Sequence, residues 1–354
     1  QIIMPTRPII MKGHTRPITQ VLYNHDGDLI FSCSKDKVVT CWRSDSGERL
    51  GTYEQHRGAV NAIDVDRLTT TVASAASDSY VKLWEAQTGE KKAVFKVESS
   101  ARSVNFALGD KLLLAAQDKQ MGKQPAVFIY TIGKDEVIDG DYNNDGSLRS
   151  NFDDESNPMK YTAKIVHEEK SKVNIVSAKW CDLNKTIVTA HEDGMVRKWD
   201  VETQKMLKEV RACESHINSM SFSRDQTMLI AASQADQCGK LIDAKTLKVL
   251  KTYKSNRPIN AAAISPIYNQ VLIGGGIQAR DVALVDSRMS HFEVDFWHIC
   301  YQFYMGSARG HFGPVNSIDI HPNGKSFVSG GEEGEIRLHH MDNVYVKSSN
   351  QMDL

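Results

Sequence analysis

A chain of 354 residues can fill two or three ordinary domains or one large repeat array. Its 43 Lys and Arg stand against 44 Asp and Glu, a formal net charge of −1, which excludes the basic excess of a general nucleic-acid or membrane-surface binder. No apolar run approaches the roughly 18 residues that cross a bilayer. The opening QIIMPTRPII lacks the apolar core of a signal peptide, and Gln1 is expected to reflect a missing or altered natural start. Six cysteines, at 33, 41, 181, 213, 238 and 300, include no C-x-x-C pair and are expected as reduced, mostly buried thiols of a cytoplasmic protein.

In chain order, Pro8 to Lys12 is a short apolar strand ahead of any repeat. The first repeat opens GHTRPITQVLYNHDG, residues 13–27. Its Cys33-to-Trp42 stretch is answered by Ala75 to Trp84, six positions separate Asp36 from Trp42 and Asp78 from Trp84, and the period is 42. His14 and His56 each precede their turn acid by 22 positions. Val60 to Val65 alternates with period two, as a half-buried strand does. A third block, Val104 to Tyr130, lacks the full signature. Lys134 to Lys160 then carries eight acidic and three basic residues and is expected to be a mobile acidic loop.

Ala178 to Val201 follows, with six positions again between Asp193 and Trp199. A fifth unit keeps His216 and Asp236 but has Ile242 where Trp is expected. The sixth, Ile259 to Asp286, is expected to have neither the Gly-His nor the Trp. The aromatic-rich Asp286-to-Ala308 stretch after it is read as an outer strand and hairpin. The seventh opens GHFGPVNSIDIHP at Gly310, and His311 precedes Glu333 by 22 positions. Residues from about 343 to 354 form a tail. Asp26-Gly27, Asp193-Gly194 and Asn323-Gly324 are tight-turn signals. Seven units beginning near 13, 55, 98, 165, 214, 257 and 310 therefore predict one all-β domain, a seven-bladed WD40 β-propeller spanning residues 1–354. A ring must close or leave strand edges unpaired, so residues 8 to 12 are expected to supply the outer strand of the seventh blade.

Chemistry-bearing side chains have structural roles in this frame. His14, Asp36 and Trp42, with His56, Asp78 and Trp84, Asp193 and Trp199, and His311, are expected to form a polar network inside each blade. The His bonds the turn acid and a strand Ser, and that Ser receives the indole N–H. Repetition argues against a catalytic triad, because an enzyme needs one active site. Gly274-Gly275-Gly276 lacks the Lys-Ser/Thr of a phosphate loop and is expected where backbones crowd. Asp141 to Gly146 matches half of a calcium loop, but Phe152 stands where a bidentate Glu is required. His311, His321, His339 and His340 lack zinc-ligand spacing. No cofactor, metal or catalytic residue is expected.

Several phrases are more specific than WD marks. Leu29 to Asp36, Gly47 to Tyr53, Asp118 to Gly122, Arg257 to Asn260, Gly274 to Val282 (GGGIQARDV) and Gly310 to Asn316 (GHFGPVN) resemble subunit i of eukaryotic translation initiation factor 3. They are scattered from about residue 12 to 340. The acidic insertion and Trp297 to Met305 depart from the family pattern, so no contact is carried over to them. The resemblance implies a non-catalytic cytoplasmic scaffold that supports assembly of the 43S pre-initiation complex, mRNA recruitment and scanning. It implies subunit b, through its C-terminal helical region, and subunit g as partners. The small ribosomal subunit is met indirectly, without sequence-specific nucleic-acid contact or membrane. The resemblance places the subunit b helix on the later blades, and Asp236, Gly275 and Asp281 are the partner-contact candidates. The alternatives are a WD40 adaptor of another cytosolic pathway (signalling or ubiquitin ligation) and an enzyme using the central channel.

Overall fold

The computed structural model describes residues 7–120, 122–132, 162–166, 173–276 and 292–342. Among these residues the strands form seven four-stranded antiparallel sheets arranged as a ring, a seven-bladed β-propeller. The first blade comprises Ile18–Tyr23, Leu29–Ser34, Val38–Arg43 and Arg49–Glu54, from the central channel outward. The second runs from Val60–Val65 to Lys91–Lys96, the fourth from Ile175–Cys181 to Met206–Arg211, and the fifth from Ile217–Phe222 to Val249–Lys254. No helix among the described residues is long and apolar enough to cross a membrane.

Two boundaries differ from the sequence expectation. Ala163–Val166, expected to open the fourth unit, is the outer strand of the third blade, and its Ile165 pairs with Val127. The acidic stretch 134–160 and the half-calcium-loop within it therefore interrupt the connection between the third and outer strands of that blade. They lie outside the described residues, as does the tail 343–354. In the sixth blade the aromatic stretch supplies the third strand as well as the outer one, Val294–His298 and Tyr304–Ala308.

Closure follows the expectation. Ile9–Met11 pairs antiparallel with Ile336–His340 as the seventh blade's outer strand, with Ile9 opposite Leu338 and Met11 opposite Ile336. Met11 is buried in the cluster that joins Ile336 and Leu338 to Ile18, Val21 and Trp42 of the first blade. The core is thus a series of apolar layers between successive blades. Inner-strand polar side chains bind the blades along the channel. Asp319 accepts the Tyr23 amide across the closure at 2.7 Å, Gln20 accepts the Ile63 amide, Asp64 accepts the Phe106 amide, and Asn105 accepts the Trp180 amide. One face of the ring carries the blade-to-blade connections and the turns between second and third strands, here the turn face. The opposite face carries the hairpin turns that follow the inner and third strands.

Candidate protein-binding surface

The turn face is built from repeated networks. In the first blade His14 Nδ1 lies 2.8 Å from Asp36 and Nε2 lies 2.8 Å from Ser32 Oγ, while Trp42 Nε1–H donates to the same oxygen at 2.8 Å. A neutral imidazole protonated on Nδ1 satisfies every group in that chain. The second blade repeats it with His56, Asp78, Ser74 and Trp84. Each turn acid also accepts the amide after the histidine, Thr15 or Arg57, and the amide two positions on, Val38 or Tyr80. Burial alone would raise the Asp36 and Asp78 carboxyls, but the histidine and amide bonds outweigh it and hold both below the usual range.

The seventh blade keeps His311 between Glu333 and Ser329, with His339 stacked on Phe327 where the first two blades have Trp. In the fourth blade Trp199 Nε1–H donates to Thr189, whose hydroxyl also meets His191, and Asp193 pairs with the Arg197 guanidinium at 2.7 Å. Trp199 thus bonds Thr189 beside a histidine from the second strand, while Asp193 is held by Arg197 and the Met195 amide.

The fifth blade corrects the sequence reading. The turn between its second and third strands has one extra residue. Ile217 pairs with Ser233 as Ile18 pairs with Ser34, so Cys213, not His216, stands at the place of His14. Ala231 and Ile242 fill the Ser and Trp places, and all three are buried in one apolar cluster. His216 is exposed. Asp236 still caps its turn, but its donors are the Ser215 hydroxyl at 2.5 Å and the Ser215 and Glu214 amides at 3.1 and 2.7 Å. Burial would raise this carboxyl and those donors hold it low. It is half-exposed and has no buried histidine behind it.

The sixth blade does contain the Trp that the sequence reading missed. Trp297 pairs with Val271 as Trp42 pairs with Ile30, and its Nε1 has no partner in the blade, where Ile273 replaces the Ser. Residues 277–291 lengthen the connection ahead of it and break the spacing rule. On this blade Arg257 forms an ion pair with Asp295, and the exposed Arg309 reaches Glu293 at 2.8 Å. Phe312, at the start of the seventh blade, is 84% exposed beneath the Arg337 guanidinium.

A family model described as EIF3I matches residues 6–351. The chain is 38% identical to eukaryotic translation initiation factor 3 subunit I of Homo sapiens, and equally to that of Xenopus tropicalis, over 339 residues, 96% of this chain and 98% of the relative. It is 40% identical to the Neosartorya fischeri subunit over 341 residues, 96% of each. The chain belongs to the eukaryotic translation initiation factor 3 subunit I family.

The glycine phrase has a packing explanation at Gly274 and Gly275. Gly275 is buried, and a Cβ there would stand 2.1 Å from the Pro258 carbonyl oxygen. A Cβ on Gly274 would meet Ile318 of the next blade at 2.5 Å. Asp281 lies outside the described residues. Of the three partner candidates, Asp236 alone is described and half-exposed. Among the described residues no group of three His, Cys, Asp or Glu side chains is placed to hold a metal.

Proposed function

We propose that this protein is a non-catalytic scaffold subunit of eukaryotic translation initiation factor 3, working in the cytoplasm in assembly of the 43S pre-initiation complex and in mRNA recruitment and scanning. Identity of 38–40% over 96% of the chain to proteins named as that subunit carries the reading. The C-terminal helical region of subunit b docks on the turn face across the fifth and sixth blades, and subunit g is a second partner. Asp236 meets a basic side chain of the helix. Phe312, exposed on the same face, offers an apolar contact. The capping donors that hold the Asp236 carboxyl ionised also fix its direction.

A pair of substitutions tests this. Asp236→Lys reverses the charge, and Ser215→Ala removes one capping bond without changing it. Both lower stability slightly, by about 1 kcal/mol, and leave the melting temperature nearly unchanged. Asp236→Lys alone weakens binding of the subunit b C-terminal segment, by about 2 kcal/mol or more. Full binding by a folded Asp236→Lys protein removes Asp236 from the interface.

A further inference from the structure

The face opposite the turns carries an apolar ridge that no fold requirement explains. The turns after the inner strands of the second, third and fourth blades each present one leucine. Leu68 is 76% exposed, Leu108 is 44% exposed and Leu183 is 77% exposed. The three turns are tied to one another. The Arg67 amide donates to Asp110, the Leu108 amide donates to Asn184 Oδ1 at 2.9 Å, and the Asn184 side-chain amide donates back to the Leu108 carbonyl at 2.8 Å. The leucines thus stand on three neighbouring turns joined by hydrogen bonds.

Leu183 adds an independent sign. Asp182, Leu183 and Asn184 adopt φ values of +49°, +54° and +67°. A leucine in the left-handed region is disfavoured by contact between its Cβ and the following carbonyl, and Asn or Gly would hold the same turn at less cost. A strained backbone that displays a branched apolar side chain to water serves something other than folding. Of the charged side chains on these three turns, Arg67, Lys111, Lys185 and Asp182 are exposed, Asp110 is half-buried and Asp66 is buried. Lys111 and Lys185 make no ion pair among the described residues. The neighbouring carboxylates are engaged internally. Asp66 accepts the Thr70 amide and hydroxyl, Asp110 the Arg67 amide, and Asp182 the Lys198 ammonium at 2.7 Å.

We propose that this ridge docks an acidic amphipathic segment of a partner protein. Its apolar side chains lie on Leu68, Leu108 and Leu183, and its carboxylates face Arg67, Lys111 and Lys185. The surface lies on the face opposite the Asp236 site and does not depend on it.

The test measures binding of a labelled synthetic peptide, with leucines on one stripe of a helix and glutamates flanking it, to the full chain by fluorescence anisotropy. The expected result is saturable binding that weakens with added salt. Leu183→Asn and Lys185→Glu each weaken it about tenfold. Leu183→Asn melts at or above the wild-type temperature, which separates loss of contact from loss of fold. The same peptide with lysine for glutamate binds far more weakly. Absence of binding, equal binding of the lysine peptide, or indifference to both substitutions overturns the proposal. So does competition by single-stranded RNA or anionic vesicles that the two substitutions abolish. Binding that appears only after residues 134–160 are excised assigns the ridge to that segment and overturns it as well.

Discussion

His56 illustrates why a WD40 blade keeps a histidine in an otherwise apolar place. Its two ring nitrogens reach Asp78 and Ser74, and Ser74 in turn receives the Trp84 indole, so removing the ring leaves buried groups without partners. His56→Ala is expected to lower stability by about 1–3 kcal/mol, read by urea denaturation, without affecting subunit b binding. The fifth blade reaches the same end by another route, with Cys213, Ala231 and Ile242 packed where the polar set would stand. Titration follows from these environments. Asp36 and Asp78 are held low in the folded state, so they add stability that is present above the ordinary carboxylate pKa of about 4 and lost as pH falls through the depressed values. Asp319 runs the other way. Enclosure in the channel, with Asp64 nearby, pushes its carboxyl up to about 6. Its folded form therefore holds a proton that the unfolded chain has released, and stability falls as pH rises from about 4 to about 6. The melting-temperature difference between Asp319→Asn and wild type should shift in the variant's favour over that range and level off above it. A constant difference contradicts this assignment.

At the scale of the element, the closing strand Ile9–Met11 makes a ladder of three residue pairs with Ile336–His340 and buries Met11. Deleting residues 1 to 12 should cost more than the roughly 2 kcal/mol of the methionine's burial, since it also frees the edge of the seventh blade. A truncated protein that melts like the full chain contradicts the closure. The closing strand was legible in the sequence because an unfilled edge and an unassigned apolar strand faced each other. Blades one, two and seven were legible because short turns keep His, acid and aromatic at fixed spacings. The rest failed where chain length between paired strands changed. One extra turn residue before Cys238 lengthened the spacing between Cys213, at the histidine place, and Asp236, so that His216 was mistaken for it, and residues 277–291 hid Trp297. The chain between Thr131 and Ala163 made an outer strand look like the start of the next blade. Register survives such insertions, because it is fixed by cross-strand packing, whereas sequence spacing does not.

For the whole molecule, the ring separates two surfaces that composition could not distinguish. Asp236, Arg309 and Phe312 stand on the turn face, and the leucine ridge stands on the other. Asp236 was legible as a turn acid without a Trp partner, but its exposure and its serine cap were not, because they depend on the extra turn residue. Phe312 was hidden within the GHFGP phrase, where exposure cannot be read from residue type. The proposed docking of a subunit b helix across the fifth and sixth blades of the turn face is open to direct measurement. Hydrogen–deuterium exchange of the full chain, with and without the subunit b C-terminal segment, tests it most directly. Slowed exchange is expected in the connections and turns at residues 213–217, 234–237, 255–258 and 309–314, with the leucine turns at 66–70, 107–111 and 182–185 unchanged. Protection confined to the leucine turns or to the first three blades, or no protection with a segment that binds, would contradict it.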